Sequence, residues 1–346
     1  MRAKIICLTP IKNEAWILES FLKATSLWAD HIILADQNSS DDSEKIARKF
    51  PKVIYIKNEE KEYNELNRQK LLIDEARKIE GKRLLITLDA DEFFSNIDLK
   101  SASWNTMLNA DEGVVFRFKW AHISPDFEKC AINTYEFPWG FIDDNRIHYG
   151  RTIHSPRIPV PESTLNYVIN DNIVFHYGFI LPNRVLSKNR WYKVFEKINS
   201  LEKNCLIINQ KYNVSNVFLN SFEYDKNWIN QYIKLGIDMT SFQKQIINLQ
   251  IKERNFDSWR IIETYWWDIE VLLLIEKHSS DTFRKLDIWD FNWKELAKYK
   301  NFNDLNSFND PRTLVDKIYI RWSRYSSKYN NKFFSIINKF LRYLIP

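Results

Sequence analysis

The sequence predicts an α/β protein. A mostly parallel, Rossmann-like sheet is expected over residues 1–180, followed by a helical C-terminal region over 181–346. Three observations lead there. The first 120 residues alternate short apolar runs with segments of helical spacing, an order that gives parallel strands joined by right-handed crossovers. Residues 113–176 then carry short β-like runs broken by Pro, Asp and Asn. Helical periodicity returns from Asn183 and recurs over 258–277 and 312–344.

Each element follows from its residues. The run Lys-Ile-Ile-Cys-Leu-Thr at 4–9 reads as a buried strand. Residues 14–28 read as a helix, with Trp16, Ile17, Phe21, Ala24 and Leu27 near helical spacing. Residues 31–36 form a second strand and 37–40 a turn. Asp41 or Asp42 suits the N-cap of a helix over 43–50, because a short carboxylate accepts from its free N–H groups. Pro51 stops that helix, and 53–56 is a third strand. A long helix over 64–79 ends at Gly81. The fourth strand, 83–88, runs straight into Asp89-Ala90-Asp91-Glu92. Strand-like runs at 114–121 and 172–175 follow, and the boundary between the two regions is placed near 178–183.

Composition narrows the chemistry. The 346 residues hold 50 Lys+Arg against 45 Asp+Glu, a net charge of +5. Residues 312–346 contain eight basic residues and one acid, which leaves 42 basic and 44 acidic residues in 1–311. A near-neutral body with a basic tail does not predict a nucleic-acid partner, which calls for a basic face on the fold. There are 6 glycines, and neither G-x-G-x-x-G nor G-x-x-x-x-G-K-[ST] occurs, so the glycine-loop routes to NAD and ATP are not expected. The three cysteines are far apart in sequence, with no zinc or disulfide spacing. The apolar run after Lys4 is too short for a secretory leader, and no uncharged stretch approaches the ~20 residues of a membrane span. A cytoplasmic protein is the expectation.

Ligands of an open parallel sheet bind outside the carboxyl ends of its strands. There the first strand gives Pro10, Asn13 and Glu14, the second Asp36, and the fourth Asp89 and Asp91. Carboxylates at three strand ends, without a phosphate loop, predict a divalent cation that in turn holds an anionic ligand. Residues i and i+2 of an extended segment share a side, so Asp89 and Asp91 can face one metal, and Mg²⁺ or Mn²⁺ suits oxygen donors. Each residue also has an ordinary reading. Asp36 is a turn cap, Glu14 a first-turn helix residue, Arg68 half of a surface ion pair, and His176 a core histidine.

Four segments in register resemble the family-two glycosyltransferases of the GT-A fold. They are Leu8-Thr9-Pro10-Ile11-Lys12-Asn13-Glu14-Ala15, Leu34-Ala35-Asp36-Gln37-Asn38-Ser39-Ser40-Asp41-Asp42-Ser43, Asn67-Arg68-Gln69 and Leu88-Asp89-Ala90-Asp91-Glu92-Phe93. The resemblance implies a GT-A domain over 1–180, with a nucleotide-binding half at 1–95 and a loop-rich acceptor half at 96–180. It implies a nucleotide-sugar donor, a UDP-sugar by preference, and Mn²⁺ or Mg²⁺. Pro10, Asn13 and Glu14 would lie by the nucleoside, and Asp36 would accept from the base's imide N–H. Arg68 would approach the diphosphate, Asp89 the ribose and a metal water, and Asp91 the metal itself. The segments Thr152-Ile153-His154-Ser155 and His176-Tyr177-Gly178 match two later family segments. His176 would complete the metal site, and Lys188 and Arg190 would face the leaving diphosphate. Ser155 stands where relatives carry Glu, so the base that takes the acceptor proton must come from elsewhere. Glu136, Asp143, Asp144 and His154 are the candidates, with Asp144 favoured over Asp143 and Trp139 beside them as a platform for a sugar.

The acceptor implied is a bacterial surface glycan or a lipid-linked glycan. The tail stripe Ile318, Trp322, Tyr325, Tyr329, Phe333, Ile336 and Phe340, flanked by basic residues, suits an anionic membrane surface or docking on the protein's own domain. Two other classes compete. A sugar-phosphate nucleotidyltransferase would need a glycine-rich basic loop where Pro10 to Glu14 stand. A non-catalytic glycan-binding scaffold would fit a degenerate site, as Ser155 suggests. The sequence does not specify an oligomeric state.

Overall fold

The computed structural model describes residues 2–60, 62–160, 165–213, 217–218, 220–242, 247–255, 258–328 and 332–344. The chain forms two compact units: Met1–Ile180 with Ser221–Gln245, and Leu181–Asn220 with Ile246–Pro346. The first unit begins as the alternation predicts, with β1 (Lys4–Ile11), α1 (Ala15–Thr25), β2 (His31–Asp36), α2 (Ser43–Ala47), β3 (Val53–Lys57), α3 (Glu65–Arg77) and β4 (Arg83–Thr87). The four strands are parallel in the order β3-β2-β1-β4. Ile5 to Leu8 are fully buried, as a central strand covered on both faces requires. Leu72, Ile73 and Ala76 of α3 pack on Ile6, Leu8, Ile33 and Leu85. Burying each large aliphatic side chain contributes about 1.5–3 kcal/mol. Asn64 caps α3 by accepting the Asn67 N–H at 3.1 Å.

The loop-rich half extends this sheet. It contains β5 (Glu92–Phe94), α4 (Ala102–Asn109), β6 (Val115–Ile123), β7 (Lys129–Ile132), β8 (Phe137–Ile142) and β9 (Asn166–His176). β8 lies antiparallel on β4, β6 antiparallel on β8, and β9 runs parallel to β6 and antiparallel to β5. The result is a mixed α/β fold whose parallel centre carries an antiparallel flank. Two registers matter for the site. Glu92 faces His176 across β5–β9, and His122 faces His176 across β6–β9.

The second unit opens with α5 (Pro182–Asn199) and α6 (Cys205–Lys211). The chain then returns to the first unit through β10 (Phe222–Glu223), on the β7 edge, and α7 (Asn227–Ile233). Tyr232 of α7 is buried there and donates to the Phe94 carbonyl at 2.7 Å. The second unit continues with β11 (Ile247–Asn255), β12 (Ser258–Thr264), α8 (Trp266–His278), α9 (Trp293–Tyr299), α10 (Leu314–Ser326) and α11 (Lys332–Leu344). One expectation is corrected here, because residues 258–264 form a strand of a β-hairpin, not the start of a helix. Ile261, Ile262 and Thr264 are β-branched, and Ile262 is buried opposite Ile251. Trp259 is exposed on this strand, while Trp267 is buried on α8. No helix among the described residues is long and apolar enough to cross a membrane.

Candidate active site

The carboxyl end of β1 is locked to that of β2. Asn13 adopts a left-handed backbone (φ 55°). Its N–H donates to Ser39 Oγ at 2.8 Å, and its Oδ1 accepts the Ser40 N–H at 2.7 Å. Pro10 is buried in β1. Glu14 precedes α1, where it accepts from Trp16 Nε1 at 2.7 Å and donates its own N–H to Ser43 Oγ. Asp36 is buried, and both of its oxygens are engaged. Oδ1 accepts from the Ser39 N–H and Oγ (2.9 and 2.6 Å), and Oδ2 accepts from Tyr55 Oη (2.7 Å). The turn-capping role of Asp36 is therefore real, and contact with a base would use the remaining lone pairs. Arg68, on α3, lies with its guanidinium 5.2 Å from the Tyr63 ring centre.

The second cluster lies beyond β4. Asp91 is buried, and its Oδ2 sits 3.4 Å from His176 Nε2, at the end of β9. Gly178 explains itself here, because a Cβ at that position would lie 2.2 Å from the His176 ring. His176 Nδ1 is 2.9 Å from Nδ1 of His122, at the end of β6. Burial, reinforced by the neighbouring His176, pushes the His122 imidazole down to about 3, so His122 is neutral. Trp120 lies against both histidine rings, at 4.5 and 4.9 Å between centres.

Arg157 closes the cluster. Its Nη2 donates to Asp89 Oδ2 at 2.7 Å and its Nη1 to Glu92 Oε2 at 2.5 Å. Its guanidinium stacks over Trp139 at 4.7 Å. Glu92 is fully buried, which pushes its carboxyl upward, and Arg157 opposes that shift. Its Oε2 also accepts the Asp89 N–H at 2.8 Å. Glu92 lies within the segment that carries Asp89 and Asp91, whereas Arg157 and His122 are site residues that their sequence surroundings do not signal. Arg157 follows the Thr152–Ser155 segment by two residues, which is the one cue the chain offers.

The remaining sequence candidates have the following surroundings. Asp143 has no exposed side-chain surface and is held by Arg77 Nη2 and Arg83 Nη2, each at 2.9 Å. Asp144 pairs with Arg146. Both follow β8, which runs antiparallel to β4, so they stand at the start of β4 beside Arg83. Six residue steps separate Arg83 from Asp89, about 20 Å at ~3.3 Å each. This corrects the expectation that Asp143 or Asp144 is the base: they stand at the opposite end of the strands from Asp89 and are committed to arginines. Trp139 is buried beneath Arg157 and is not an open platform. His154 is exposed, with φ 57°, on a segment that docks on α3 through the Ser155 N–H to Glu65 Oε2 bond of 2.8 Å. Lys188 and Arg190 belong to the second unit. There Arg190 is buried against Asp268 and Glu253, and Lys188 lies near the Tyr192 and Trp267 rings.

Among the described residues, no three His, Cys, Asp or Glu side chains converge closely enough to hold a metal alone. The Asp91–His176 pair nevertheless fits a divalent ion. One carboxylate and one imidazole suit Mn²⁺, and an ion with few protein ligands completes its shell from phosphate oxygens and water. The Gly178 cradle keeps the imidazole in place.

No curated protein matches this chain. Among solved structures, glucosyl-3-phosphoglycerate synthase from Mycobacterium tuberculosis, bound to Mn²⁺, uridine diphosphate and glucosyl-3-phosphoglycerate, is 18% identical. The match covers 34% of this chain and 44% of that one, with a TM-score of 0.26. GalNAc-T7 with UDP, GalNAc and Mn²⁺ is 11% identical over 74% of this chain and 61% of that one, with a TM-score of 0.34. The present chain thus spans less than half the length of the first of these. Residues 7–158 match the family model Glycosyl transferase family 2. That stretch, which is similar to the family, runs from β1 to the Arg157 cluster.

Proposed function

We propose that the protein is a divalent-metal-dependent glycosyltransferase. It moves a sugar from a nucleotide-diphosphate sugar, a UDP-sugar by preference, to a hydroxyl of a glycan or lipid-linked glycan, with inversion. The observation that carries this reading is the meeting, at 3.4 Å, of Asp91, in the stretch that matches the family 2 model, with His176, which follows that stretch. Asp91 and His176 would hold the metal. When bound, a divalent ion supplies Lewis-acid stabilisation of charge on the leaving diphosphate. Asp89 stays oriented by Arg157 for the ribose side, and Glu92 fixes Arg157. Asn13 and Ser39 rigidify the nucleoside end, where Asp36 and Glu14 supply acceptors. The acceptor hydroxyl needs a base within hydrogen-bond reach. His154 is assigned that role, because its segment also delivers Arg157 to the site. We further place the protein as a peripheral one at the cytoplasmic membrane face, through α11. Phe333, Ile336 and Phe340 are exposed there beside Lys332, Lys339 and Arg342, a pattern suited to an anionic surface. Tyr329 of the predicted stripe lies outside the described residues.

UDP release from a panel of UDP-sugars, with and without Mn²⁺, tests the reading. Turnover should require the ion and fall at least about 100-fold in Asp91→Asn. His154→Ala should lower kcat by about 10²–10⁴. Absence of both UDP binding and turnover in the metal-loaded protein sinks the transferase reading. A normal kcat in His154→Ala removes His154 as base.

A further inference from the structure

The second unit encloses a cavity of about 610 Å³, within the range of small-molecule sites. Its lining holds nine lysines and arginines against three carboxylates, Glu253, Asp287 and Asp290. Two more carboxylates reach lining arginines without lining the cavity: Asp268 binds Arg190, and Asp310 binds Arg312. Counting them, four positive charges remain in excess. Much of the wall is an ion-pair network, with Arg324 on Asp287 and Asp290, Lys193 3.6 Å from Asp287, and Arg312 on Asp290 at 2.9 Å. The buried members of the wall are paired, as desolvated charge requires, and three of the four excess charges fall on Arg254, Arg321 and Lys328, which are exposed.

The imbalance has a focus. Arg190 is buried, with 5% of its side chain exposed. Its Nε donates to Asp268 at 2.8 Å and its Nη1 to Glu253 at 3.3 Å, and it stacks on Phe291 at 4.4 Å. Its Nη2 has no hydrogen-bond partner, and neither does Nδ2 of the neighbouring Asn189. Two buried donors on one wall are thus unsatisfied, a state that native proteins avoid. Among the described residues, Arg254, Arg321 and Lys328 line the same cavity without a carboxylate partner. Ile288, Phe291 and Ile320 supply an apolar side. A guanidinium held flat, with a free N–H and further cations nearby, is the arrangement that recognises phosphoryl oxygens.

We propose that this cavity is a second ligand site, for a small molecule carrying a phosphate or pyrophosphate group, with Arg190 Nη2, Arg321 and Lys328 as its donors. The proposal does not rest on the transferase reading, since every lining residue belongs to the second unit.

The test is calorimetric titration of the full chain with inorganic pyrophosphate, at low salt and with EDTA present. Saturable binding is expected in the wild type and in Asp91→Asn. The double variant Arg321→Gln/Lys328→Gln should bind about tenfold or more weakly. Both of those side chains are exposed, so the variant spares the fold, and Arg190→Gln is the stronger companion. A soluble short-chain phosphatidic acid that displaces pyrophosphate assigns the site to a lipid headgroup. No displacement assigns it to a water-soluble ester. Absence of binding, equal affinity in wild type and double variant, or loss of binding in Asp91→Asn overturns the proposal.

Discussion

At the scale of single residues, His122 bears on the tautomer of His176, whose Nε2 faces Asp91. The two Nδ1 atoms are 2.9 Å apart, so one donates and the other accepts. When His176 Nδ1–H donates, its Nε2 lone pair points at the Asp91 side, which is the form a metal needs. Orienting partners of this kind are worth about 10–100-fold in metal affinity. His122→Leu is therefore expected to weaken Mn²⁺ binding by that factor, read by titration of the free ion. Unchanged affinity would reduce the ring pair to packing. Gly178→Ala should weaken binding in the same assay, because its methyl group would occupy the imidazole's space. Asp89, Asp91 and His176 were legible in the sequence because a strand end, a two-residue spacing and a short histidine segment mark them. His122 and Arg157 were not. They reach their partners from 54 and 65 residues away, and a lone histidine at the end of an apolar strand carries no spacing signal.

At the scale of elements, the parallel half followed from periodicity, and the antiparallel flank did not. A strand's direction depends on its partner, and the partner of β8 is β4. That one reversal moves Asp143 from the expected sugar site to the amino end of β4. There it satisfies Arg77 and Arg83. The prediction is a separation of effects. Asp143→Ala removes a buried carboxylate from two arginines and should cost about 3–5 kcal/mol of stability, measured by denaturant unfolding. The kcat of the folded fraction should stay within a factor of a few. A collapse of kcat with unchanged stability would return Asp143 to the catalytic candidates. Residues 258–264 repeat the lesson. Trp259, Ile262 and Trp266 fit helical steps of three and four as well as a strand, and pairing of Ile262 with Ile251 decides between them.

At the scale of the whole molecule, the charge of +5 comes from the tail, and composition does not say which way that charge faces. Part of it is paired on the protein's own second unit. α10 docks on its own unit through Tyr319 Oη to Asn204 Oδ1 at 3.0 Å and Gln210 Nε2 to Ser326 Oγ at 2.9 Å. Arg312 and Arg324 bind Asp290, and Arg324 also binds Asp287. α11 touches α10 through Trp322 Nε1 to Asn338 Oδ1 at 2.8 Å and through Phe334, and its Phe333, Ile336 and Phe340 remain exposed. Two truncations separate these roles. Ending the chain at Lys328 removes α11 alone. It should abolish binding to anionic vesicles, keep pyrophosphate binding, and lower the unfolding midpoint by about 2–4 °C for each kcal/mol of lost α10 contact. Ending it at Pro311 leaves Asp287 and Asp290 without Arg312 and Arg324, a loss that buried pairs do not tolerate, so the second unit should unfold. If the shorter chain keeps its midpoint, α10 is an appendage and the docked reading of the tail fails. If the Lys328 truncation still binds vesicles, the membrane contact lies outside α11.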